Sequence, residues 1–297
     1  MAIASVDFDG SNDYATGGAI LSYEYTNAFS FALWMKVNSF SDYVLTKRGG
    51  SSTFRGYSIF VDSSRKLEFC LCNDFGSGAE IRVNSLQDIG TVSWRHVVFS
   101  YSGNGLASGL LMVIDGVSEA FNVQLDALAA GTIITTAQFN LSGRTNGGAA
   151  EFNGRLHQVG AYNKALSLVE AQEIYNGGVP VDLTTLSTSG NLTNWWKMGD
   201  GDTFPTLLDS AGSNNLTMTN MLAADIVFDG PFINVPRLPI LNNDIAGDST
   251  VTTYYQRAWN LNTLSFEYWQ STGSPDLANP PSGDPISGAT VLNSVTV

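Results

Sequence analysis

Short apolar runs alternating with polar, glycine-rich clusters recur through residues 1–178. Phe29-Ser-Phe31-Ala-Leu33-Trp34-Met35-Lys36-Val37 is dense in aromatics and β-formers, and Gly56-Tyr57-Ser-Ile59-Phe60-Val61 follows a loop at Lys47-Arg48-Gly49-Gly50-Ser51-Ser52. Further runs occupy Lys66–Leu71, Trp94–Tyr101 and Gly109–Ile114. The last leads into Asp115-Gly116, the strongest local hairpin signal in the chain. Phe139–Gly143 and Leu156–Tyr162 close the series. Strands at this spacing, with no helical segment between them, predict a two-sheet sandwich. One helix stands apart. Ser167-Leu-Val-Glu170 has capping-box spacing, Ala171, Ile174 and Tyr175 continue the helix, and Gly177-Gly178 ends it. A lone helix after many strands reads as a plug on the sandwich.

The texture changes after Gly178. Residues 191–230 contain Asn194-Trp195-Trp196-Lys197-Met198-Gly199-Asp200 and Asp209-Ser-Ala-Gly-Ser-Asn214-Asn215. From Pro231 onward lie seven of the nine prolines, together with Tyr254, Tyr255, Trp259, Phe266, Tyr268 and Trp269. A free linker would lack such aromatics, and a sandwich sheet would avoid the prolines. The segment is therefore expected to be an extended arm, with Tyr254, Tyr255, Trp259, Phe266 and Trp269 as assembly contacts.

Charge narrows the partners. Fourteen Lys+Arg stand against 27 Asp+Glu, a net charge of −13 with only five lysines, which argues against binding a phosphate backbone. The acidity is uneven: residues 1–179 carry 11 basic and 16 acidic side chains, residues 180–297 carry 3 and 11. A partner for the C-terminal portion is thus expected to be neutral or basic. No apolar run approaches the roughly 18 residues needed to cross a bilayer, and Met1–Asp7 has no secretory pattern. Cys70 and Cys72 sit one residue apart in an apparent strand and read as reduced packing residues.

Five segments, in order, resemble the laminin-G-like, concanavalin-A-like lectin jelly rolls: Phe8-Asp9-Gly10-Ser11-Asn12-Asp13-Tyr14; Phe29–Val37; Trp94-Arg95-His96-Val97; Val113-Ile-Asp115-Gly116; and Phe152-Asn-Gly154 through Tyr162 to Gly178. The resemblance implies an all-β fold, two packed antiparallel sheets in a jelly-roll sandwich with one short helix, on a scaffold common in carbohydrate recognition. It assigns 1–178 to the jelly roll. Residues 192–222 look like another piece of the family, so 179–230 is expected to fold back onto the same sandwich, the alternative being the start of a second jelly roll, and 231–297 form the arm. Similar jelly rolls, including Trp-Trp-Lys-Met-Gly-Asp segments, resemble parts of phage heads and tails.

Catalytic patterns are missing. Glucan hydrolases of this fold use Glu-x-Asp-x-Glu on one strand, and none of the eight glutamates begins it. There is no Gly-x-Ser-x-Gly elbow. His96 is expected in the core, and His157 at the surface or in packing. The one cofactor the sequence leaves room for is a structural calcium ion. The rim loops 46–55 and 143–150 are basic or neutral, which disfavours a pentraxin-like site, and Asp9, Asn12 and Asp13 could supply either a site or an Asx turn. Arg48, Arg55, Arg144 and Asn146 are the candidate glycan contacts. The expected function is non-enzymatic: a structural or interaction protein of a phage or virus particle, bound to other virion proteins or copies of itself and able to touch host-surface glycans, with no nucleic-acid or membrane partner. The alternative is a freestanding secreted carbohydrate-binding module, and the third a glucan hydrolase.

Overall fold

The computed structural model describes residues 3–49, 53–128, 131–144 and 150–231, and the strand backbone at 254–260, 265–271 and 290–296. Two compact units divide the chain, Met1–Ile233 and Asn234–Val297.

The first unit is a sandwich of two antiparallel sheets. One sheet has eight strands: β1 (Ser5–Asp9), β3 (Phe29–Val37), β8 (Trp94–Tyr101), β9 (Leu110–Ile114), β10 (Val117–Glu119), β13 (Asn153–Tyr162), β14 (Leu192–Trp196) and β17 (Ile226–Val227). The other has nine: β2 (Tyr14–Thr16), β4 (Asp42–Arg48), β5 (Gly56–Val61), β6 (Leu67–Asp74), β7 (Ala79–Ser85), β11 (Phe121–Asp126), β12 (Asn140–Leu141), β15 (Thr206–Leu207) and β16 (Leu216–Thr219). The first runs β10-β9-β8-β3-β13-β1-β17, with β14 sharing an edge of β13. The second runs β11-β7-β6-β5-β4-β12-β2-β16-β15.

Strand β3 shows why its sequence is apolar almost throughout. Phe29, Phe31, Leu33, Met35 and Val37 point between the sheets, against Leu45, Tyr57, Ile59, Phe69 and Val83 of the nine-stranded sheet. Ala32, on the opposite face, packs with Val98, Val113, Tyr162, Leu166, Ala171 and Ile174. A strand buried on both faces loses the alternation of a half-exposed one. The second layer is the single helix α1 (Leu168–Tyr175). Its capping box forms as the spacing predicts: the Glu170 amide donates to Ser167 Oγ at 3.3 Å, and the Ser167 amide to Glu170 Oε2 at 2.9 Å. Asn176, at φ +47°, takes the left-handed cap just before the two glycines. The Asp115-Gly116 hairpin also forms, both residues having positive φ, as the two-residue turn between twisted strands requires.

Residues 192–227 return to this sandwich. β14 pairs with Val159–Tyr162 of β13, β16 with β2, and β17 with β1. Trp196 is fully buried and stacks on Phe139, ring centroids 5.4 Å apart. Its indole N–H donates to Asn214 O. A side chain of this size contributes about 3 kcal/mol by burial.

In the second unit, β18 (Tyr254–Asn260), β19 (Ser265–Ser271) and β20 (Thr290–Thr296) form an antiparallel three-stranded sheet. None contains a proline. The rest of the expected arm lies outside the described residues, as do the side chains of Tyr254, Tyr255, Trp259, Phe266 and Trp269. Among the described residues, no helix is long and apolar enough to cross a membrane.

Candidate functional site

The helix covers the outer face of the eight-stranded sheet. The nine-stranded sheet presents an outer face of its own polar and aromatic side chains. Strand register places one row across it: Thr16, Asn140, Thr46, Ser58, Cys70 and Arg82. The neighbouring row, Leu141, Leu45, Ile59, Phe69 and Val83, points into the core. Period-two alternation thus sets a polar row over an apolar one.

Several members of this face lack partners. Asn140 and Thr46 are each 1% exposed, yet neither the Asn140 amide oxygen and nitrogen nor Thr46 Oγ1 has a hydrogen-bond partner. Arg82 Nε and Asn84 Oδ1, on β7, are also unpaired. Buried polar groups in this condition cost about 1–3 kcal/mol each, and Trp34, His96 and Trp195 of the eight-stranded sheet share it.

Above the β4–β5 and β6–β7 hairpins lies an arginine–aromatic cluster. The Arg144 guanidinium stands 4.4 Å from the centroid of Phe54 and 5.8 Å from that of Tyr43. Phe54 meets Phe75 edge to face at 5.6 Å, and Phe75 is 45% exposed. Arg48 and Arg82 approach the Phe75 ring at 5.9 and 6.0 Å. Arg48 is 5% exposed, donating from Nε to Phe54 O at 2.9 Å and from a terminal nitrogen to Ser58 Oγ at 3.5 Å. Gly56 pairs with both Arg48 and Cys72. At φ +130°, its backbone passes so near β4 that an added Cβ would sit 1.8 Å from Lys47 O, so only glycine closes this hairpin.

Two acids share the face. Glu80 is fully buried, paired with Arg82 at 3.1 Å and accepting from Cys70 Sγ at 3.3 Å. Burial pushes the Glu68 carboxyl up. Burial also pushes the Cys70 thiol well above its usual range, so it packs and does not react. At the far end an open groove of about 470 Å³ is lined by Asp62, Lys66, Glu68, Arg82, Asn84 and Asn122, joining the cluster through Arg82.

The structure brings Arg48 and Arg144 together and sends Arg55 elsewhere. Arg55 Nε donates to Asn73 O at 3.3 Å, and its charge acts on Glu24. Asn146 lies outside the described residues. Tyr43, Thr46, Phe54, Phe75, Arg82 and Asn140 were not singled out by sequence. Alternation along β4, β6 and β7 was the available signal, but it needs the strand register to converge. The basic loop expected from Lys47 starts later, because β4 runs through Arg48. Lys47 turns inward, its ammonium donating to Ala137 O at 2.8 Å, and burial pushes it down to about 8.

The other candidates have structural partners. Asp9 Oδ1 accepts from the Ser11 amide at 2.7 Å, an Asx turn, and Asp13 Oδ2 from the Asp9 amide at 3.2 Å. Burial raises the Asp13 carboxyl to about 6, and Asn12 O accepts from Asn220 Nδ2. Among the described residues, no three His, Cys, Asp or Glu side chains gather as a metal site. His96 packs between Trp34 and Tyr175, and His157 Nδ1 lies 2.7 Å from Ala4 O. Burial holds them at about 3 and about 4, so both are neutral core residues. Asp209 answers for the Asp-Ser-Ala-Gly-Ser-Asn motif. Its carboxylate accepts from the Trp195, Ala211, Gly212 and Asn214 amides and from Asn194 Nδ2, at 2.6–3.2 Å.

A helix-backed jelly roll with an arginine–aromatic outer face has the build of a lectin-like sandwich. The chain belongs to the concanavalin A-like lectin/glucanases superfamily, whose family model matches residues 9–172. Among solved structures it is similar to a putative carbohydrate binding protein from Bacteroides ovatus, with 15% identity and a TM-score of 0.54, covering 78% of this chain and 61% of that one. The chain therefore spans about three-fifths of that protein's length. It is also similar to a heptameric SAP-like pentraxin from Limulus polyphemus, with 14% identity, a TM-score of 0.42, and 59% and 82% of the two chains covered. A CBM40 of the Ruminococcus gnavus IT-sialidase, bound to α2,3-sialyllactose, shows 16% identity and a TM-score of 0.42 over 50% and 83%. No curated protein matches the chain.

Proposed function

We propose that this chain is a non-enzymatic carbohydrate-binding protein that holds a glycan on the outer face of its nine-stranded sheet. The observation that carries this is the half-exposed Phe75 ring, approached by Arg48 and Arg82 and joined through Phe54 to Arg144, opening onto the groove lined by Lys66, Asn84 and Asn122. Sugar hydroxyls donate and accept, and C–H faces stack on rings, so this mixture suits a saccharide. Asn146, expected from sequence as a glycan contact, belongs to the same proposal. A hydrolytic role fits poorly, since Glu80 is held by Arg82 and Cys70 and is not free to act as nucleophile or acid. Calorimetry against a panel of neutral and acidic oligosaccharides should show saturable binding, weakened about tenfold or more by Phe75→Ala, with no reducing ends released. Absence of binding across the panel contradicts the reading, and turnover contradicts its non-enzymatic part.

A second reading makes the chain a structural component of a phage or virus particle, anchored by 231–297. The observation favouring it is the composition of that segment, seven of nine prolines beside large aromatics in an acidic stretch. Imaging of the native assembly tests it: the segment should contact other chains, and a monomer free of any particle overturns it. Secretion to the cell exterior fits the first reading, and location in a virion the second.

A further inference from the structure

Resting on the glycan-binding reading, we infer that the ligand is an acidic oligosaccharide whose carboxylate is read by Arg144 and Arg48 above the Phe54–Phe75 pair. The chain has nearly twice as many acids as bases, so its described arginines have ample carboxylates for pairing. Arg65, Arg82 and Arg95 each pair with one, and Arg155 with two. Among the described residues, Arg48, Arg55 and Arg144 have none within ion-pair distance; Arg55 turns to Asn73 and Glu24, whereas Arg48 and Arg144 share one cluster. Arg48 is nearly buried, with Glu80 and Glu68 acting on its charge from within the face, so it backs the cluster, while Arg144 has no described carboxylate within ion-pair distance.

Geometry favours a planar acid. Arg144 stands 4.4 Å from the Phe54 centroid with no hydrogen-bond acceptor among the described residues, and a guanidinium edge matches a carboxylate with two parallel hydrogen bonds. Glu80 is paired with Arg82 and also acts on the Arg48 charge, and no described carboxylate pairs with Arg144. The rest of the sugar chain would follow the groove past Arg82 to Asn84 and Asn122, where amides suit neutral hydroxyls.

The test is calorimetric titration of the full chain with tetragalacturonate and with its methyl ester, the same glycan without charge, at low and high salt. The acid should bind about tenfold tighter or more, with the advantage shrinking at high salt. Arg144→Gln should abolish the preference while leaving the melting temperature unchanged. Phe54→Leu, which removes the stacking platform but not the charge, should reduce it. Equal affinity for acid and ester overturns the acidic ligand and leaves glycan binding standing. An acid preference that survives Arg144→Gln overturns the assignment to this cluster. Binding of neither probe, nor of any neutral glycan, overturns both readings.

Discussion

His96 and His157 are the residues whose chemistry most affects the stability of this sandwich. Both are neutral in the folded state, held at about 3 and about 4 by burial, whereas an unfolded histidine titrates near 6.5. Between these values the unfolded chain binds more protons, so acid favours unfolding. Stability is complete above about pH 6.5 and falls as pH drops toward 4, by roughly 1.4 kcal/mol per pH unit for each histidine. Asp13 acts in the opposite sense, because its raised carboxyl takes up a proton in the fold first, and it offsets part of the loss. Thermal melts across this range should show a falling midpoint, and His96→Phe should flatten the fall. Phenylalanine keeps the ring packed against Trp34 and Tyr175 and removes the unpaired Nδ1. A midpoint independent of pH in the parent protein would contradict this account. The core placement of His96 was legible, since Trp94-Arg-His96-Val-Val reads as a strand. Arg82 and Phe75 were not, because each gains meaning only from cross-strand neighbours far away in sequence.

Among the elements, the segment after the helix carries the least obvious support. β14 owes its position to Asp209, whose carboxylate gathers four backbone amides and the Asn194 side chain. This explains why an Asp-Ser-Ala-Gly-Ser-Asn turn follows a Trp-Trp strand: the turn ties Trp195 and Trp196 in place. Asp209→Ala should cost about 3 kcal/mol or more, lowering the melting midpoint, because several buried N–H groups lose their acceptor together. A loss under about 1 kcal/mol would show that the turn holds itself. The Asp115-Gly116 hairpin and the Ser167 capping box were legible because each depends on local spacing. The pairing partners of 192–227 were not. Strand β13 is long enough to hold β1 on its first half and β14 on its second, with a register shift between His157 and Gly160. That division is a property of three-dimensional pairing and leaves no periodic trace.

For the whole molecule, the two sheets have different tasks. The eight-stranded sheet is closed by α1 and an apolar layer, while the nine-stranded sheet keeps a polar, arginine-bearing outer face. The net charge of −13 makes that local concentration of guanidinium more distinctive, since it gathers cation where the chain as a whole repels anions. Two of the four proposed contacts, Arg48 and Arg144, were legible as basic side chains on rim loops. Their convergence on Phe54 and Phe75 was not, because it depends on hairpin geometry. The most direct test follows the Arg144 side chain by NMR during titration with a glycan that binds. Its resonances should move to saturation together with those of the Arg82 side chain and the Phe75 ring. The Asn191 amide, bonded to Asn163 beyond the other sheet, should stay still. A glycan that binds while Arg144, Arg82 and Phe75 remain unmoved would contradict the account.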